Sequence, residues 1–325
     1  MNLHKRIAPF IKSDVSVASM MRDVLVALTL LLVLPVVRFG ARPAVMAALT
    51  ALVCAVSEIL FNLIQTKSTG ISDCSSMVTG MILVMLMPVN APMWLPCAAG
   101  VFAIVVAKGP FGSTGRNPFN PAAAGFAFAA ICWPQLVFSY FNPASSAVLP
   151  PLADCFVETV PSPAAVLKSG LKPSIVPFEM LWGNFAGPIG STAVLVIAAC
   201  ALYLVFKRTA RWEIIFFFLA AAALIAAFFP RIACSPLTSV KYELMSGSLL
   251  FCSVFMVTDP VTAPHTPVGR CLYGAFAGAM LMVFRTFGAF EQGAAFAVLI
   301  ANASAPLFDD LVFRAKGWGG ELDEA

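Results

Sequence analysis

Residues Gly109–Gly125, GPFGSTGRNPFNPAAAG, decide the fold. They lie between two long apolar runs, Trp94–Ala107 and Phe119–Tyr140. Pro110, Pro118 and Pro121, with Gly109, Gly112 and Gly115, break any helix there. Lipid does not tolerate exposed irregular backbone, because unpaired N–H and C=O groups are costly in hydrocarbon. A break at membrane depth therefore faces protein, a ligand or a water-filled cavity. Judged by spacing alone, an ordinary polar loop between helices fits as well. A second break, Met256–Arg270, MVTDPVTAPHTPVGR, carries Asp259 directly before Pro260. Two interrupted segments in corresponding halves of a membrane protein point to a site where the halves meet.

Composition sets the class. The 325 residues are 60% hydrophobic and 11% charged, with mean hydropathy +0.90. A soluble domain carries about 25% charged residues, so this is an all-α polytopic membrane protein. A net charge of +4 spread over short connections gives no reason to expect nucleic acid. The nine cysteines form no Cys-x-x-Cys pair and lie mostly in apolar runs, so zinc or an iron–sulfur cluster held by this chain alone is not expected. His4 and His265 are the only histidines, which argues against a bis-histidine haem. The N-terminal stretch is polar and basic, without the pattern of a cleavable leader.

Apolar runs fall at 24–39, 43–64, 75–88, 92–107, 119–140, 189–206, 212–229, 243–258, 269–284 and 290–307. Several are short against the ~20 residues that span a bilayer, as half-helices would be. The expected organisation is a cytoplasmic arm 1–23, a first five-helix unit 24–140, an external loop 141–188, a second five-helix unit 189–307 and a cytoplasmic tail 308–325. Lys and Arg are in excess on the side of the membrane that holds the N-terminus, which puts both termini inside. Five is odd, so the two units run in opposite directions, as inverted repeats. Ser76–Pro92 and Met245–Pro264 both start with a hydroxyl residue and a glycine (Thr79–Gly80, Ser246–Gly247) and end at a proline break. Lys108–Gly112, KGPFG, resembles Arg285–Gly288, RTFG.

The breaks also carry chemistry. Gly112, Gly115 and nearby N–H groups can hold an anion, and Arg116 offers a planar fork for phosphate or a flavin carbonyl. Phe111 and Phe119 can flank a ring. Asn117 and Asn120 either meet a ligand or satisfy backbone at a helix start. Asp259 either binds Na+ or H+, or hydrogen-bonds a flavin, or caps a helix; Thr258 and Thr262 are hydroxyls beside it. Glu58 is a lone intramembrane acid, expected to pair with Lys67 or to face a cavity.

GRNPFNPAAAGFAF from Gly115, LWGNFAGPIGSTA from Leu181, Met245–Arg270 and the ending Arg285–Ala305 occur in one order. Together they resemble the RnfD family of Rnf electron-transport complexes, which includes NqrB, the related membrane component of the sodium-translocating NADH:quinone reductase. The resemblance covers about Ile7 to Phe313. It implies about ten transmembrane helices in two inverted five-helix repeats with urea-transporter architecture, and a place in the bacterial cytoplasmic (inner) membrane. It also implies FMN esterified through its phosphate to an external-loop hydroxyl. The quinone-reductase relative adds the expectation of a second flavin, a noncovalent riboflavin. The attachment motif, Asp-x-x-Ser-x-Ala-Thr followed by Pro-Leu, falls on Phe156–Ser162 followed by Pro163–Ala164. Phe156 replaces the acid, Pro161 the alanine and Ser162 the acceptor threonine. Serine keeps the oxygen the ester needs, and Thr159 is the alternative acceptor. The family's Gly-Glu-Thr-Ser element is Gly190-Ser191-Thr192-Ala193 here.

The implied function is that of one membrane component of a translocase, passing electrons through flavin and coupling them to Na+ or H+ movement. NAD and iron–sulfur chemistry would lie in partner subunits. A second FMN-bearing partner would sit next to this chain, and a flavin transferase would be needed for maturation. The rival readings are a channel or secondary transporter for a small polar solute, and a flavin-free scaffold.

Overall fold

Each break in the sequence ends one helix, and the residue that follows it caps the next. The computed structural model describes residues 16–66, 74–111, 117–143, 149–153 and 157–315. Helix α1 (Val17–Phe39) is capped by Ser16, whose Oγ accepts from the Ser19 N–H. It turns sharply at Gly40 into α2 (Arg42–Thr66). The short α3 (Ser75–Leu86) stops at Pro88, and α4 (Trp94–Phe102) runs on through a π-helical turn to Lys108. Asn120 caps α5 (Pro121–Cys132), accepting from the Ala122 and Ala123 N–H groups, with Pro121 in the first helical position where its missing N–H costs nothing. A short α6 (Pro134–Val137) follows, then strand β1 (Tyr140–Phe141), which pairs antiparallel with β2 (Thr159–Val160).

The segment between the two halves holds two further short helices, α7 (Pro163–Lys168) and α8 (Pro177–Trp182). The second half contains α9 (Val194–Phe206), α10 (Trp212–Phe228), α11 (Pro236–Met245), α12 (Leu249–Phe255), α13 (Pro267–Phe287) and α14 (Ala294–Ala315). Among the described residues, five helical stretches are long and apolar enough to cross a membrane, and α3, α5, α9 and α10 are shorter apolar helices. The chain is a multi-pass membrane protein.

Sequence and structure differ at several borders. Helix α1 begins inside the stretch 1–23, and α14 continues beyond 307. The run 243–258 divides at Ser246–Ser248 into α11 and α12, because Gly247 takes φ +61°, a backbone setting that interrupts a helix.

Two short helices form the centre. Nearly all of α3 is buried, and so are most residues of α12. A helix apolar on every side must be wrapped by others. Helices α1, α2, α4 and α5 pack on α3, while α9, α10 and α14 pack on α12. The end of α3 is sealed by the stretch before α9: the Ile189 and Gly190 N–H groups donate to the Met87 and Met85 carbonyls at 3.0 and 2.8 Å. Gly190 is required there, because a Cβ would lie 2.6 Å from that of Met85. The two short helices end in different places. The turn after α3 meets Arg42 at the start of α2, whereas Met256 at the end of α12 meets Asn120 at the start of α5.

Several basic residues counted as loop charge are internal. Arg42 is 0% exposed and donates to the carbonyls of Val89, Ala91, Pro150 and Ala153, tying the α3–α4 turn to the segment between the halves. Arg38 holds the Trp182 and Gly183 carbonyls. Lys108 and Arg285 are buried in ion pairs. These side chains are placed by backbone acceptors and carboxylates, so they carry little topological information.

Candidate functional site

The two breaks meet. Asn120 donates its Nδ2–H to the Met256 carbonyl at 3.3 Å, and its backbone N–H donates to Asn302 Oδ1 at 3.0 Å. Asn302, on α14, is fixed in turn by donating to the Tyr273 hydroxyl at 2.9 Å. One asparagine thus caps α5 and ties it to both the end of α12 and the middle of α14. Asn117 donates to the Phe119 carbonyl and steadies the approach to the cap.

Beside this junction lies a cavity of about 60 Å³ lined by Ser75, Thr79, Lys108, Asn117, Asn120 and Asp259, among others. At ~10–15 Å³ for each water centre, it holds a few water molecules. Asp259 does not cap a helix: its Oδ1 accepts from the Val261 N–H at 3.2 Å, closing a turn, and α13 is capped by Thr266 instead. Thr258 lines the same cavity, but its hydroxyl donates back to the Val254 carbonyl.

Lys108 is 3% exposed and bonds Glu58 Oε1 at 2.5 Å and Ser75 Oγ at 2.6 Å. Glu58 thus takes a lysine from fifty residues away as a partner. Lys67 itself lies outside the described residues.

A second, more open cavity of about 660 Å³ lies on the other side of the Asn117–Asn120 segment. Phe119, Thr262, His265, Asn302 and Asp309 line it. The Thr262 hydroxyl is buried there without a hydrogen-bond partner among the described residues. Asp309 accepts from the His265 and Thr266 N–H groups and from the Thr266 hydroxyl, which locks the start of α13 onto α14. The structure does not bring Phe111 and Phe119 together: Phe111 is exposed, and Phe119 faces this second cavity. Gly112, Gly115 and Arg116, the expected anion-binding turn, lie outside the described residues.

The polar cluster around Ser162 has a different composition. Ser162 is 1% exposed and caps α7, its Oγ accepting from the Ala165 N–H at 3.1 Å. Its proton goes to Glu291 Oε2 at 3.0 Å. Tyr140 accepts from Gln292 Nε2 at 2.7 Å. Glu291 Oε1 and Gln292 Oε1 are buried acceptors without a partner among the described residues. Burial pushes the Glu291 carboxyl above its usual range, against the hydrogen bonds from Tyr140 and Ser162. Alongside, Arg285 and Arg231 share Glu243, and Arg285 also bonds the Ser246 carbonyl.

Thr159, by contrast, is exposed on β2. The motif position and the accessible hydroxyl are therefore different residues. Ester formation at Ser162 suits its oxygen chemically, but it requires α7 to lift from Glu291. Asp154 and Phe156, in the motif's acidic part, lie outside the described residues.

The roles of Lys108, Glu291 and Tyr273 are not visible in the sequence. Lysine before a glycine-rich turn reads as a boundary charge, and Glu291 lies in a short turn with no pattern around it. Asn302 falls within the family-like ending Arg285–Ala305, but nothing in the sequence pairs it with Asn120.

The family model described as NQR2, RnfD, RnfE matches residues 5–316. The chain is 29% identical to the D component of the ion-translocating oxidoreductase complex of Halorhodospira halophila, over 96% of this chain and 94% of that one. It is 29% identical to the D component of the Na+-translocating ferredoxin:NAD+ oxidoreductase complex of Acetobacterium woodii, over 95% and 93%. A third relative, the D component of the ion-translocating oxidoreductase complex of Salmonella paratyphi B, is 31% identical over 82% and 83%.

Proposed function

This chain belongs to the NQR2, RnfD, RnfE family, and from that we propose that it is the membrane subunit of an ion-translocating ferredoxin:NAD+ oxidoreductase complex. The observation that carries the reading is the end-to-end match to relatives so named. In the bacterial cytoplasmic membrane, with both termini inside, the junction of the breaks at Asn120 lies at the cytoplasmic end, and Ser162 at the outer end. Helices α1–α5 and, in the second half, α9, α10, α12, α13 and α14 are inverted five-helix repeats of urea-transporter type. Support comes from the position of their buried cations: Lys108 ends one helix against Ser75 at the start of α3, and Arg285 ends another against Ser246 just before α12.

The outer loop carries covalent FMN at Ser162, with Thr159 as the other acceptor. When bound, FMN supplies one- and two-electron transfer. The chain's part is to hold the ester oxygen at the start of α7 and to keep water from the cluster beneath it. A noncovalent riboflavin belongs in the larger inner cavity. The Thr262 hydroxyl, without a partner among the described residues, supplies a hydrogen bond and Phe119 an apolar wall. The coupled cation, Na+ or H+, enters the smaller cavity at Asp259. Partner subunits bring the iron–sulfur and NAD chemistry.

Membrane vesicles containing the assembled complex test this. Electron transfer from reduced ferredoxin to NAD+ should drive ion uptake, and deleting this chain should abolish both. Solute flux through the isolated chain, with electron transfer intact without it, would support a transporter instead.

A further inference from the structure

The small cavity contains an arrangement that flavin chemistry does not use. Lys108 and Asp259 line the same space, one from each half of the molecule. In the structure the Lys108 ammonium is held by Glu58 and Ser75, on the first half. Asp259 has no ion-pair partner among the described residues, although it lines the same cavity as Lys108. Glu58 Oε2 is buried without a hydrogen-bond partner among those residues, so the lysine satisfies only one of its two oxygens. A lysine is a compact charge on a flexible four-carbon stem. Buried ionisable groups that face a cavity are costly and persist where they are used.

We propose that Lys108 is an internal competitor for the cation at Asp259, moving between Glu58 when an alkali cation occupies Asp259 and Asp259 when it does not. This rests on the reading that the coupled cation enters at Asp259. Each position keeps one positive charge beside Asp259, the carboxylate that lines the cavity. With Lys108 turned away, Asp259 and the Asn117 amide oxygen offer hard oxygen ligands suited to Na+. Exchange of ammonium for metal ion then links cation entry to a side-chain displacement between the halves.

The two partners in the Lys108–Glu58 pair give opposite signs. Lys108→Gln removes the competitor, and the half-saturating Na+ concentration for electron transfer in vesicles should fall about tenfold. Glu58→Gln removes the alternative resting place, biases Lys108 toward Asp259, and should raise that concentration about tenfold. A merely structural role would lower turnover in both without opposite shifts. The assay uses the whole complex at fixed pH with NaCl varied, and Lys108→Arg serves as a folded control that keeps a competing charge. If Asp259→Asn shifts the Na+ dependence while Lys108→Gln and Glu58→Gln do not move it in opposite directions, the exchange is wrong and the cation site stands. If Asp259→Asn leaves the Na+ dependence unchanged, the underlying reading fails as well.

Discussion

Asn302 Oδ1 accepts the backbone N–H of Asn120 at 3.0 Å, although the two residues are 182 positions apart. That bond joins the cap of α5 to the middle of α14, and the Asn120 side chain reaches the end of α12. The junction between the halves is thus made of backbone groups that the breaks set free, satisfied by two amides.

Asn120→Ala removes an N-cap and leaves buried groups unpaired at Ala122, Ala123 and Met256. A lost cap costs about 1 kcal/mol, and each buried orphan about 1–3 kcal/mol. The expected total is about 2–4 kcal/mol after local relaxation. Thermal unfolding of the purified protein in detergent should show a clear drop in midpoint. Asn120→Asp, which keeps the cap, should lose less.

Glu243 lies between the buried Arg285 and the partly buried Arg231. Glu243→Ala leaves both without a carboxylate and should cost about 3–5 kcal/mol. Adding Arg285→Met should cost less than the sum of the two single changes, because contacting charges couple. A double-mutant cycle in thermal stability measures this; simple additivity would show that the pair is energetically idle.

Helices α10 and α13 touch backbone to backbone. A Cβ at Gly278 would lie 2.3 Å from the Phe218 carbonyl oxygen, and one at Gly274 2.6 Å from that of Ile214. Small residues four apart permit such approach between membrane helices. Gly278→Ala forces the pair apart and should cost about 1–3 kcal/mol. Faster proteolysis and a lower unfolding midpoint are the expected signs, and unchanged values would contradict the packing.

Glu291 gives a pH effect of definite sign. Burial raises its folded-state pKa above the unfolded value, so the folded protein binds the extra proton. Its contribution to stability is complete below the unfolded carboxylate range and is lost as pH rises through the raised folded value. Glu291→Gln should flatten that part of the stability profile. A decline of equal slope in the variant would assign it to another group.

The helices and their order were legible because apolar runs, capping residues and prolines act locally. Asn120–Pro121 and Thr266–Pro267 each mark a helix start within a few residues. The division of the run 243–258 was not legible, because a single positive φ at Gly247 does it inside continuous apolar sequence. The site was legible only in part. Asn120 and Asp259 stood out as polar residues at breaks, but Lys108–Glu58 and Ser162–Glu291 join residues 50 and 129 positions apart. Nothing near either residue in sequence specifies such a partner. Charge counting does not see burial: Arg42, at the start of α2, and Arg285, in the last turn of α13, are held by interior carbonyls and a carboxylate.

The most direct test of the whole account is peptide mass mapping of this chain from the purified, assembled complex. The account predicts that the peptide containing Thr159 and Ser162 carries the mass of FMN less one water, with fragmentation placing it on Ser162 and with its loss in Ser162→Ala. Unmodified Thr159 and Ser162 in this chain of the assembled complex would contradict it.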